Sequence, residues 1–321
     1  MVSRVNPSIR IKQQGAYGSL LFPSFFLMIY DTIIERTPIE KGWSPDKKYR
    51  VVTENGTSYL LRVSPPDRLD RMRSQFTRMQ EVSRLGIPMC HSVECGIREE
   101  GPYVLQSWID GSAAEDLLPA LPKARQYAYG LDAGRYLNKI HSIPAPAGAE
   151  PWADRFNRKI DRKIAMYTSC PLKYDGGEAF LSHIARCRHL LSDRPQSYQH
   201  GDYHTGNMMI DANGKLVIID FDKDDFGDPW EEFNRTVWCA QLSPAFASGL
   251  VDGYFDGPVP PEFWQLLALY ICSNSLSSLP WAIAYGEGEI QVMRNQAAEI
   301  LSWYNHFQTV IPNWYHKEDV L

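Results

Sequence analysis

The feature that most constrains this chain is a polar, Gly-bounded loop followed at once by two short apolar runs and a carboxylate. The loop is Gln199-His200-Gly201-Asp202-Tyr203-His204-Thr205-Gly206-Asn207. Met208 to Ile210 is apolar, and Asp211-Ala212-Asn213-Gly214 puts an Asn-Gly pair at a hairpin position. Leu216 to Ile219 is apolar again and ends on Asp220-Phe221-Asp222. A hairpin of this order returns Asp220 to the side of Asn207 and Asp202. That arrangement suits phosphoryl transfer, which needs Mg²⁺ on hard oxygen ligands and a carboxylate near the attacking hydroxyl. Asn207 and Asp220 are candidate Mg²⁺ ligands. Asp202 is the candidate to orient the acceptor hydroxyl and receive its proton.

The two halves, His200-Gly201-Asp202-Tyr203-His204-Thr205-Gly206-Asn207 and Ile219-Asp220-Phe221-Asp222, follow the signatures H-G-D-x-H-x-x-N and I-D-F/W-[DE] in order. Through them the chain resembles the aminoglycoside phosphotransferase and choline kinase superfamily, which is related to protein kinases. The resemblance implies an α+β, bilobal protein-kinase-like fold, with a small β-rich N-terminal lobe and a larger, mainly helical C-terminal lobe. It implies ATP or GTP as co-substrate, Asp202 as catalytic base, and Asn207 and Asp220 as Mg²⁺ ligands. His200 and His204 are expected as structural hydrogen-bonding partners of the loop. Asp228 and Glu232 are expected to brace it, with Asp222 as a further supporting residue.

Size and charge agree with this reading. A chain of 321 residues exceeds one comfortable core, so two lobes are expected. The nucleotide-binding lobe is placed at 28–108, with the hinge at its end, and the catalytic and substrate lobe at 109–321. A net charge of −5 argues against a general nucleic-acid binder. The six Cys form no C-x-x-C and no zinc spacing, which fits a reducing cytoplasm. Arg4, Arg10 and Lys12 precede an apolar run from Gly18 to Tyr30, in the manner of a signal peptide. Pro23 interrupts that run, no small-x-small site follows, and the run is too short to span a bilayer. Residues 1–27 are therefore expected to be an extension outside the fold, with no membrane partner.

In the small lobe, strands are expected at Tyr49–Thr53 and Ser58–Val63 around an Asn55-Gly56 turn. The turn near Gly42 reads either as the loop over the nucleotide phosphates or as a plain hairpin. By resemblance, Arg62 stands where the family has a phosphate-contacting Lys; Arg keeps the charge and adds a bidentate fork. Leu69, Met72, Phe76, Met79, Val82 and Leu85 recur at helical spacing. In the family this helix carries a Glu that pairs with the strand cation. Gln75 holds that position here; either Glu81 is a substitute or the pair is absent. Pro102 to Gly111 reads as a strand running into the hinge, where backbone groups of Gln106, Ser107 and Trp108 would meet the purine.

The large lobe reads as helices over 124–141, 152–166, 180–191, 260–284 and 287–306, with Pro280 expected to kink or break the fourth. In 152–166 Phe156, Ile160 and Ile164 share one face. Arg155, Arg158, Lys159, Arg162 and Lys163 crowd the other, either as a solvated face or as a site for an anionic partner. Asp222, Asp224, Asp225 and Glu231 are either a solvated acidic loop or a hint of a cationic acceptor. The reading is an O-phosphotransferase that acts on a small hydroxylated molecule, with an aminoglycoside-like acceptor as first candidate. A protein Ser/Thr acceptor is the second reading, and a regulatory nucleotide binder, motivated by Arg62 and Gln75, is the third. A metallophosphoesterase is disfavoured because Met208 follows Gly206-Asn207 where such a site needs another His.

Overall fold

A computed structural model describes residues 28–40 and 44–315. The extension 1–27 and the turn at Gly42 lie outside the described residues. The first half of the fold is a five-stranded antiparallel sheet in the order β1-β2-β3-β5-β4. Its strands are β1 (Ile33–Pro38), β2 (Lys47–Thr53), β3 (Ser58–Val63), β4 (Ser92–Arg98) and β5 (Gly101–Ser107). β1 precedes the strands expected from sequence and is mostly exposed, so apolar alternation does not mark it. Gly56 takes the left-handed turn between β2 and β3 at φ +82°, which an L side chain resists. Val51, Leu61, Val63, Tyr103 and Leu105 make a small core on this sheet. Helix α1 (Leu69–Ser83) buries Met72, Met79 and Val82, the stripe its periodicity announces.

β5 passes through 108–110 into β6 (Gly111–Ala113), which pairs with β8 (Met208–Asp211), itself paired with β9 (Leu216–Ile218). A second pair, β7 (Ser197–Gln199) with β10 (Asp225–Gly227), flanks the polar loop on its other side. The helices are α2 (Ala114–Leu117), α3 (Lys123–Ile140), α4 (Trp152–Ser169), α5 (Glu178–Cys187), α6 (Thr236–Leu242), α7 (Pro244–Phe255), α8 (Pro261–Ala282) and α9 (Glu287–Trp303). This is the expected α+β fold, with a β-rich N-terminal part and a helical C-terminal part.

α8 is the helix around which the others gather: it contacts α4, α5 and α9, and most of its residues are buried. By length and composition it could cross a membrane, but the same apolarity serves the core of this helical half. Pro280 does not break it. The residue lies in the last turn, where few ladder bonds remain to be lost, and a short 3₁₀ turn, Ile283–Tyr285, follows.

α3 and α7 were not legible as a pair. Gly130 and Gly134 face Gly249 and Gly253 so closely that a Cβ on Gly134 would stand 2.2 Å from the Leu250 carbonyl oxygen. The two backbones touch through glycine. α4 also departs from expectation: it buries Trp152, Phe156, Ile160, Lys163 and Tyr167, so Lys163 lies on the apolar stripe and not on the charged face.

Candidate active site

The hairpin does what its residues dictate. Met208 pairs with Ile218 and Ile210 with Leu216, and the Ile219 N–H donates to the Asn207 carbonyl at 3.0 Å. Asp220 therefore emerges beside Asn207. Asp220 itself is left-handed (φ +63°), an uncommon conformation outside glycine that turns the chain out of β9. Gly201 is also left-handed (φ +83°), and a Cβ there would fall 1.9 Å from the Lys223 carbonyl oxygen. Only glycine lets the Asp202 loop lie against the segment after Asp220.

The supporting residues hold backbone. His200 Nε2 donates to the Ile219 carbonyl at 2.9 Å, while its Nδ1 accepts from the Asp202 N–H at 3.3 Å. His204 Nδ1 accepts from the Gly206 N–H at 3.1 Å. The Gly201 N–H donates to Glu232 Oε1 at 2.8 Å, and the other oxygen of Glu232 lies 3.6 Å from His141 Nε2. Asp228 is fully buried. It accepts from Arg194 Nε and the Tyr270 hydroxyl, both at 2.6 Å, and from the Trp230 N–H at 2.9 Å.

Asn207 Nδ2 donates to the Asp202 carbonyl at 2.9 Å, which leaves Oδ1 as its open oxygen. The Asp202 carboxylate meets Lys223 Nζ at 2.9 Å, Arg235 Nε at 3.0 Å and His204 Nε2 at 3.7 Å. Burial alone would raise Asp202. The hydrogen bond to His204 and the charges of Arg235, His204 and Lys223 outweigh it, and hold the carboxyl well below its usual range.

Across the cleft, Arg62 is buried among three carboxylates. It reaches Asp220 Oδ1 at 2.8 Å and Asp46 Oδ2 at 3.0 Å, and also pairs with Asp222. Burial would lower its pKa, but Asp220, Asp222 and Asp46 reverse the sign. Asp220 is lowered in turn by Arg62 and by Lys48, whose Nζ is 3.8 Å from Oδ2. Lys48 and Arg62 are direct cross-strand partners, a like-charge pair that these carboxylates offset.

On α1 the sequence left Arg62 either with Glu81 as its partner or with no acidic partner at all. Glu81 is exposed, and Asp46, just before β2, is the partner instead. Gln75 Nε2 donates to the Asp222 carbonyl at 2.7 Å, joined by Arg71 at 2.6 Å, and Arg78 clasps Asp224. So α1 is tied to the segment after Asp220 while the cation is anchored from β2. Beside Arg62 lies a cavity of about 20 Å³, lined by Asp46, Gln75, Gln106 and Asp222 among others. Asp46 Oδ1 and Gln106 Oε1 each lack a protein hydrogen bond.

At the hinge, Gln106 is buried with its amide on Met79 Sδ at 3.3 Å. The Ser107 N–H is spent on the His91 carbonyl at 2.9 Å, and Trp108 lies under Arg50 at 5.3 Å. The acidic crowd is internally paired: Asp222 with Arg62, Asp224 with Arg78, Asp225 with Arg155 and Glu231 with Lys159. Sequence reasoning missed Asp46, Arg194, Arg235 and Lys223 as partners. Each lies in a loop or short turn with no periodic pattern, and only the fold supplies its counter-ion.

The model of the phosphotransferase enzyme family (APH) matches residues 35–264, more than half of the chain. The chain belongs to that family. A search of curated proteins finds no match. Among solved structures, the family member is similar to a thermostable mutant of aminoglycoside phosphotransferase APH(4)-Ia in complex with ADP and hygromycin B. The identity is 17%, covering 84% of this chain and 94% of that one, with a TM-score of 0.59. It is similar to a choline/ethanolamine kinase family protein from Mesorhizobium loti at 16% identity, 85% and 92% coverage, and a TM-score of 0.60. A GDP complex of an aminoglycoside 2'-phosphotransferase-IIIa mutant matches at 15% identity, 86% and 93% coverage, and a TM-score of 0.62. At these identities the likeness concerns the fold.

Proposed function

We propose that this phosphotransferase moves the γ-phosphoryl group of ATP or GTP to a hydroxyl of a small molecule, with Asp202 as catalytic base. The observation that carries the reading is the convergence of Asp202, Asn207 and Asp220 at the mouth of one hairpin, opposite Arg62. Asn207 Oδ1 and Asp220 Oδ2 are hard oxygens and fit Mg²⁺ in chemistry. Phosphates and water would complete the coordination of such an ion. When bound, the ion neutralises charge that develops on the β- and γ-phosphates.

Arg62 supplies a fixed positive charge for the phosphates, held in place by Asp46. Asp202 accepts the acceptor's hydroxyl hydrogen bond and aligns that oxygen in line with the γ-phosphorus. An O–P bond then forms, the β–γ bridging bond breaks, the hydroxyl proton passes to Asp202, and the nucleoside diphosphate leaves. Backbone groups around Gln106 to Trp108 hold the base. The nucleotide complexes of the solved neighbours support a nucleotide co-substrate. Two of these neighbours are aminoglycoside enzymes, which supports that class as the first acceptor to try. Its local support is thin, because the carboxylates that would draw a cation are already paired.

The test is Mg²⁺-dependent nucleotide turnover by the purified chain against a panel of hydroxyl acceptors. Stimulation by one class, lost in Asp202→Ala, is the expected result. Tight nucleotide binding without turnover, even to water, would favour a regulatory nucleotide binder. Absence of nucleotide binding would overturn the proposal.

A further inference from the structure

The acceptor side of Asp202 carries a surplus of positive charge, and one of its lysines stands where an amphipathic helix puts a hydrophobic residue. Lys163 is 9% exposed, in the stripe of Trp152, Phe156, Ile160 and Tyr167. Lysine is almost never so buried unless paired. Among the described residues Lys163 has no hydrogen bond and no ion pair, although its Nζ is not sealed from solvent. Its charged neighbours include Lys159, Arg162 and Arg235 as well as the carboxylate Glu231. Glu231 already accepts from Lys159 at 3.1 Å and from Gln199 at 3.3 Å.

Arg235 carries this patch to the reaction centre. Its Nε is 3.0 Å from Asp202 Oδ1 but makes no hydrogen bond, so the pair is a charge contact without alignment. Lys223 closes the other side of Asp202. Burial, with the charge of Lys159, pushes Lys163 down to about 7, against the pull of Glu231. An anion would reverse that cost, and it would also share Arg235 and Lys223 with Asp202, leaving the carboxylate a better proton acceptor.

We propose that the phosphate acceptor bears an anionic group (phosphate, sulfate or carboxylate) beside its reacting hydroxyl, received by Lys163 and Arg235. The proposal rests on the phosphotransferase reading of Asp202 and names the substrate class for that site.

The test uses the full chain loaded with ADP and Mg²⁺, with inorganic sulfate as the probe, followed by calorimetry. Sulfate is expected to bind, more tightly below neutral pH than above it. Lys163→Met should weaken binding about tenfold or more, the scale of one charge-assisted hydrogen bond. Lys163→Arg should retain it, and the exposed Lys139→Met should leave it unchanged. No sulfate binding, or equal affinity in Lys163→Met, overturns the proposal. Sulfate that binds with ADP but is expelled by a non-hydrolysable triphosphate would assign the site to the γ-phosphoryl group, which also overturns it. In turnover assays, hydroxy acids and sugar phosphates should stimulate more than choline or aminoglycosides, and the reverse order counts against it. The phosphotransferase reading fails separately, through loss of all nucleotide binding and turnover.

Discussion

The two walls of the cleft are built from the same kinds of charge in opposite proportions. On the nucleotide wall one guanidinium, Arg62, is surrounded by Asp46, Asp220 and Asp222. On the proposed acceptor wall the Asp202 carboxylate is met by Lys223 and Arg235, and Lys163 is a charged neighbour of Arg235. The carboxylate-rich wall suits a metal ion that brings its own phosphates. The cation-rich wall suits a negative ligand. The difference teaches that whole-chain charge says little about a site: a chain of net charge −5 places cations beside its proposed catalytic carboxylate.

Four results would break or sharpen this comparison. The largest effect is expected at Asp220→Ala, which removes a proposed metal ligand and unbalances Arg62. Turnover should fall about 10³-fold while the chain remains folded by circular dichroism. Retained turnover would separate the carboxylate-rich wall from metal binding.

Next is the cost of Lys163. Its folded pKa of about 7 lies below the ordinary value near 10.4 in an unfolded chain. Between these values the unfolded state binds the extra proton, so stability rises with pH. The penalty is full below about pH 7 and relieved above about 10.4. It is on the order of 5 kcal/mol, set by burial and by Lys159, Arg162 and Arg235 against Glu231. Denaturation of wild type and Lys163→Met across this window should show the variant more stable at neutral pH and the two converging at alkaline pH. Parallel curves would mean that Lys163 is neutral or paired.

Third is Asp46. Asp46→Asn should weaken nucleotide affinity about tenfold, because Arg62 loses its anchor from β2. Adding Gln75→Glu, which lines the same cavity as Arg62, should restore part of it. No loss in the single variant would return the anchoring role to Asp220 and Asp222 alone. The smallest effect is expected at Glu81→Gln. That exposed residue should change turnover and stability hardly at all, within about 0.5 kcal/mol, and a larger change would reopen it as the partner of Arg62.

The hairpin between Asn207 and Asp220 was legible because its information is local. An Asn-Gly turn, two apolar runs and flanking glycines fix which residues meet, whatever surrounds them. The helical stripes of α1 and α4 were legible for the same reason, since apolar spacing is a property of neighbours along the chain. Charge partners were not, because an ion pair joins residues distant in sequence and leaves no period behind. Arg62 with Asp46, Asp202 with Arg235 and Arg194 with Asp228 are pairs of that kind. The glycines of α3 and α7 carry their reason only in the opposing helix. Lys163 shows the boundary most clearly. From sequence it joined a run of cations on a polar face, and a turn of about 100° per residue leaves the edge of such a face undecided. The packing of α4 against α8 decided it, by rotating the helix so that Lys163 faces inward beside Glu231 and Arg235. Local pattern thus determined the reactive loop and the lobes' elements, whereas the environment of each charge, and with it what the site can bind, was set by tertiary contacts.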